Sequence, residues 1–176
     1  MASTFNSLKN KLFTIPLKYG LMGGGIVVLL FIIFYLLDLD PLVNIKMIDM
    51  LILAIFIFFA LKEFRDSHNN RELHFWQGMT GGVVNYVTIA IISSIFVLVM
   101  TVIIDPEMTT NYIEGRIQLL QENKQTLIDT MDEDTFLEAV AGVEKTTAID
   151  LALDDFLKKS MIGLFLTIII AVILRK

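Results

Sequence analysis

A chain of 176 residues has the length of one ordinary domain, yet 55% of it is hydrophobic and only 19% charged, with a mean hydropathy of +0.70. An average soluble domain is about a quarter charged, so this chain has too little polar side chain to cover a water-facing surface. The absence of cysteine removes disulfides, thiolate metal sites and a cysteine nucleophile. A net charge of −5 has the wrong sign for a nucleic-acid binder, which needs a basic stripe to displace counterions. The composition predicts an all-α integral membrane protein embedded in a lipid bilayer.

Crossing about 30 Å of hydrocarbon takes roughly 20 mainly apolar residues in a helix. Four segments meet that need. The first runs from Leu17 to Leu37 and carries only Lys18. Before it, Phe5, Leu8, Leu12 and Phe13 lie among Lys9, Lys11 and Lys18, a pattern suited to a short helix on the membrane surface. Its apolar run is longer than a signal core, and Asp38, Asp40 and Pro41 follow it in place of a small-x-small cleavage site, so it reads as an uncleaved anchor. The second span has a clean core of only Met50 to Leu61 and must extend back through Asp49 and Lys46 or forward to Phe64. Lys46 and Asp49, three apart on one helical face, suit an interfacial ion pair that sets its depth. The third, from Gly78 to Ile104, is uncharged and longer than a bilayer requires, so it tilts or projects. Met161 to Leu174 is short alone and recruits Phe156 and Leu157 as a fourth span, leaving Lys158 and Lys159 to snorkel outward.

Lysine and arginine near span ends set orientation. The N-terminal segment, the loop after span two (Lys62, Arg65, Arg71) and the end of the chain (Arg175, Lys176) are basic, whereas the loop after span one holds Lys46 beside three aspartates. Both termini of this multi-pass membrane protein are therefore expected in the cytoplasm.

Between spans three and four the balance changes: residues 105–159 hold 13 acidic and five basic side chains. Asp105-Pro106-Glu107 is a helix-start signal. Ile113, Ile117, Leu120, Leu127, Ile128 and Met131 then recur at helical spacing. Thr130 with Glu133 reads as a capping box opening a second stripe of Phe136, Val140, Val143 and Leu151, with a possible break at Gly142 or Thr146-Thr147. The expectation is an amphipathic hairpin of two helices of about 24 residues outside the membrane, on the side opposite the termini, each reaching roughly 36 Å. The organisation is thus 1–104 for the surface segment and spans one to three, 105–158 for the acidic hairpin, and 159–176 for span four. If part of either stripe docks on a partner, Ile113, Ile117, Leu120, Phe136 and Val140 carry the contact.

Glycines cluster where helices would touch. Gly20 with Gly24, and Gly78 with Gly82, have the Gly-x-x-x-Gly spacing that lets membrane helices approach. A phosphate-cradling role would need a preceding strand. Asn85, Thr88, Ser93, Ser94 and Thr101 give span three polar groups that must face other helices; Asn85 joins the packing glycines as an expected interhelical residue. Trp76 suits an interfacial anchor. His68 and His74 lack the short spacing of a zinc site, no serine or threonine has a histidine and a carboxylate beside it, and no metal, cofactor or catalysis is expected.

Several short stretches together resemble one family. They are Leu17-Lys18-Tyr19-Gly20-Leu21-Met22-Gly23-Gly24, Lys62-Glu63-Phe64-Arg65-Asp66, Phe75-Trp76-Gln77-Gly78 with Gly81-Gly82, Asp105-Pro106-Glu107, and Met161-Ile162-Gly163-Leu164 through Ile173-Leu174-Arg175-Lys176. The chain is similar over nearly its whole length to the domain of unknown function 4199 family, small inner-membrane proteins of Bacteroidota. The resemblance implies the four-span layout and that membrane, and assigns no chemistry. Genes of that family often lie near polyprenyl-phosphate sugar transferases, which implies by analogy an accessory partner of such a glycosyltransferase. The leading expectation from the residues themselves is a non-enzymatic subunit or scaffold that binds an integral-membrane or periplasmic protein, or a second copy of itself. A transporter would instead need a wet cavity lined by Asn85, Ser93 and Ser94.

Overall fold

A computed structural model of the chain describes residues 2–39, 41–44, 46–69, 71–130 and 132–175. In chain order its helices are α1 (Ala2–Leu36), α2 (Pro41–Asn44), α3 (Lys46–His68), α4 (Phe75–Val99), a π-helical turn (Met100–Ile104), α5 (Glu107–Glu122), α6 (Lys124–Thr130), α7 (Glu133–Glu144) and α8 (Ala148–Leu174). No strand occurs among the described residues. Three stretches are long and apolar enough to cross a membrane: Asn10–Leu36, Phe75–Ile104 and Ala148–Leu174. The chain divides into two compact units, one comprising the residues up to Ile95 and from Asp155 on, the other Phe96–Asp154.

In the first unit α1 is longer than the sequence predicts, because the basic approach and the first span form one helix that runs through Pro16. The side chains of Phe5 and Leu8, the apolar residues expected on the membrane surface, lie outside the described set, as does that of Lys9. At its other end the helix stops at Asp38, which takes a left-handed φ of 54°. Leu39 N–H then donates to Phe34 C=O and Asp38 N–H to Tyr35 C=O, the paired bonds of a Schellman turn that satisfy the last carbonyls.

Contacts between the helices fix their directions. Gly78 meets Ala171, Gly82 meets Thr167 and Gly163 meets Tyr86, so α4 and α8 are antiparallel. Gly20 meets Asn85 and Thr88 while Gly24 meets Ile92, so α1 and α4 are parallel. Tyr19 bonds to Glu63 and Gly23 meets Phe56, so α3 runs against α1. The helices alternate in direction along the chain. Their shared core contains Leu53, Ile57, Leu61, Phe64, Ile89 and Ile170, and α3 supplies most of its fully enclosed side chains.

Within the second unit, Asp105 N–H donates to Met100 C=O at 2.8 Å, closing the wide turn. Three short helices follow where the sequence reading expects two long ones. Asn123 interrupts the first stripe: its N–H and its side-chain amide both donate to Leu119 C=O, at 3.3 and 2.8 Å. The cap of α7 is Asp132, whose carboxylate accepts Thr135 N–H at 2.8 Å; the expected cap, Thr130, has its side chain outside the described set, as does all of Met131. The break falls at Thr146-Thr147 and not at Gly142, which lies inside α7. Thr147 and Asp150 then form a reciprocal box at the start of α8, with Thr147 N–H donating to Asp150 at 2.8 Å and Asp150 N–H to the threonine hydroxyl at 3.3 Å.

Candidate functional site

The polar heart of the first unit is a cluster that joins α3, α4 and α8. One turn before the apolar core of α3, Asp49 is 5% exposed. Asp155 and Lys159 are one helical turn apart on α8, and Lys159, 4% exposed, joins the two acids: its ammonium donates to Asp49 Oδ2 at 2.8 Å and to Asp155 Oδ1. Ser93 of α4, itself buried, donates its hydroxyl to Asp155 Oδ2 at 2.8 Å. Asp49 Oδ1 has no hydrogen-bond partner. Among the described side chains, two carboxylates and one ammonium leave one negative charge in excess.

This cluster departs from the sequence reading. Lys159, expected to snorkel outward, points inward, because it occupies the face of α8 that also carries Gly163 and Thr167. Asp49, the carboxylate expected to pair with Lys46, is contacted by Lys159; the Lys46 side chain, and with it the expected pair, lies outside the described set. The signal was available: stepping back by fours from Ala171 through Thr167 and Gly163 reaches Lys159 and then Asp155, all on one helical face.

The glycines named from their spacing lie at helix contacts inside the chain. A Cβ built at Gly20, Gly24, Gly78 or Gly82 would come within 3.0 Å of a neighbouring helix. Gly81 and Gly163 behave the same way, while Gly25 meets nothing within 4 Å. Asn85 is fully buried and donates to Pro16 C=O at 3.0 Å, tying α4 to the proline of α1. Its side-chain oxygen has no partner. Asn85 therefore faces α1 and Ser93 faces α8, while Ser94 bonds back to Ile91 C=O on its own helix. The three do not converge on one cavity.

Trp76 is 78% exposed, with its ring edge against Phe75. Near it, Asn69 and His74 N–H both donate to Gln77 Oε1 at 3.0 Å, and Arg71 turns the chain with a left-handed φ of 63°. In the second unit Ile113, Ile117, Leu120 and Val140 are half-buried, and α5 and α6 both pack on α7. Phe136 is 1% exposed, with the Lys124 ammonium over its ring at 5.6 Å. Leu119 and Leu137 remain about half exposed. Among the described residues no group of three or more histidine, aspartate or glutamate side chains is placed to hold a metal ion.

Residues 18–176 match the family described as protein of unknown function DUF4199, and the chain belongs to that family. No curated protein matches the chain, and no solved structure does.

Proposed function

We propose that this member of the DUF4199 family is a four-span inner-membrane subunit that holds an acidic helical unit outside the bilayer for a protein partner. The observation that carries the reading is the glycine packing: α4 approaches α1 and α8 so closely that a Cβ added at any of six glycines, Gly20, Gly23, Gly24, Gly78, Gly82 and Gly163, would come within 3.0 Å of a neighbouring helix. Helices so joined make a rigid platform.

The fourth span in this proposal is α3. Its 23 residues extend about 34 Å, enough for a bilayer core. Running against α1 and α4, it lies among helices that cross. Asp49, a charge that lowers its hydropathy, is turned into the bundle, where it meets Lys159. The same pairing supports the orientation. Lys159 opposed it as a cation on the outer side, and its charge is taken up within the bundle. With four spans, the N-terminal lysines, Lys62, Arg65, Arg71 and Arg175 share one side, the cytoplasmic side by the positive-inside rule. The 105–154 segment is then periplasmic, and its exposed acidic faces with Leu119 and Leu137 are the surface offered to a partner.

Purification of the tagged chain from its native membranes in mild detergent, followed by mass spectrometry, tests the proposal. A stoichiometric companion lost on deleting residues 107–144 is the expected result. A homo-oligomer without companions, together with substrate flux in proteoliposomes, would overturn it. Orientation is checked by labelling Asn69→Cys and Glu122→Cys in intact cells: only the second should react with an impermeant reagent.

A further inference from the structure

We propose that the Asp49–Lys159–Asp155–Ser93 cluster is a binding site for one exchangeable monovalent cation, a proton or an alkali-metal ion, taken up at the free oxygen of Asp49. Both oxygens of Asp155 have partners: Oδ1 accepts from Lys159 and Oδ2 from Ser93. Lys159 is shared between both acids. Asp49 uses only Oδ2, and its side chain is 8% exposed with Oδ1 unpartnered. An ion pair compensates a buried charge only when the remaining lone pairs are also satisfied, and among the described side chains one charge and one oxygen are left over. Facing groups come from α8 (Lys159, Asp155) and α4 (Ser93); among the described side chains no second cation contacts Asp49, and Lys46, one turn earlier on α3, has its side chain outside that set.

The surroundings sharpen the need. Lys159 is separated from Leu174, and Asp49 from Phe64, by roughly 22 Å of helix, so with those ends at one interface the cluster sits within about 30 Å of hydrocarbon. An uncompensated charge there is costly and marks a functional site by default. One proton on Asp49, or one alkali-metal ion against its carboxylate, makes the cluster neutral. The inference rests on α3 and α8 lying in the bilayer and not on any partner, so it survives a failure to find a companion protein.

Two arms of one experiment on the full-length chain in lipid nanodiscs distinguish the sources. Infrared spectroscopy at neutral pH reads a protonated carboxyl directly as a carboxylic C=O band that shifts in deuterium oxide. Thermal unfolding with sodium chloride raised from about 1 to about 100 mM, against choline chloride, reads an alkali-metal ion as a rise in midpoint on the order of 5 °C. A band lost in Asp49→Asn and kept in Asp38→Asn identifies the proton. A sodium-specific rise lost in Asp49→Asn identifies the metal ion. Because Asp49→Asn removes the excess charge and keeps the shape, it should unfold no earlier than the wild-type chain without sodium. Neither a band nor a sodium effect in the wild-type chain overturns the proposal, whatever the variants do.

Discussion

Gly82→Ala tests the helix packing at its tightest point. The added Cβ would lie 2.9 Å from Thr167 Cβ and 2.5 Å from its hydroxyl, and closer still to its methyl group. Rotating Thr167 moves the hydroxyl and methyl but leaves its Cβ in place, and a β-branched side chain has few rotamers in a helix to choose from. Carbon atoms rest at about 3.5–4.0 Å, so α4 and α8 must separate by roughly 0.6–1 Å. Overpacking of this kind costs about 1–3 kcal/mol. Relief should be graded. Thr167→Ala removes the two nearer atoms and keeps the 2.9 Å Cβ contact, so it rescues in part. Thr167→Gly removes all three and restores the close approach, giving a coupling of at least about 1 kcal/mol. Reversible unfolding of the purified chain in mixed micelles, followed by far-UV circular dichroism, supplies the four corners of each cycle. Gly25→Ala, on an open face of the same bundle, is the control and should not destabilise the chain. An equal loss from Gly82→Ala in the wild-type and Thr167→Gly backgrounds would refute the reasoning.

Phe136→Ala should destabilise the second unit by about 3–5 kcal/mol, because the ring is 1% exposed; hydrogen exchange should then accelerate in α5 and α7 while α1 and α3 keep their protection. Gly142→Ala, inside α7 with nothing within 4 Å of its added methyl, should raise the unit's stability by about 0.5–1 kcal/mol, seen as slower exchange across α7. The Asp132 carboxyl is held below the ordinary carboxylate range by its hydrogen bonds from Thr135. A lowered folded value means its capping contribution is complete above about pH 4, the ordinary unfolded value, and is lost as the pH falls through the folded one. An acid titration of α7 protection should therefore lose part of its pH dependence in Asp132→Ala.

What could be read from the sequence, and what could not, divides along one physical line. Hydropathy depends on how many apolar residues are consecutive, so it locates Asn10–Leu36, Phe75–Ile104 and Ala148–Leu174. It says nothing of which face of each helix turns inward. The packing glycines were legible because close approach demands a missing side chain, whatever the neighbour is. The capping of α7 was misplaced by two residues because Thr130, Asp132 and Glu133 all carry oxygens that suit a helix start, and only backbone geometry selects Asp132.

Lys158 and Lys159 show the limit most clearly, since composition cannot separate two adjacent lysines. On a helix they point about 100° apart, so one can meet lipid headgroups while the other enters the bundle. The choice is made by residues further along: the small side chains at Gly163, Thr167 and Ala171 must face α4, and that phase carries Lys159 inward with them. The same phase logic on α3 places Asp49 in line with Leu53, Ile57 and Leu61, all 0% exposed. Each charge is costly alone, and each lies on a face committed by its apolar neighbours. The two helices therefore bring an acid and a base together as a consequence of packing, with Asp155 following one turn before Lys159. A membrane sequence read with helical phase as well as hydropathy can thus nominate buried ion pairs: charges that continue a small-residue or apolar stripe by steps of four point inward, and charges that interrupt it point out.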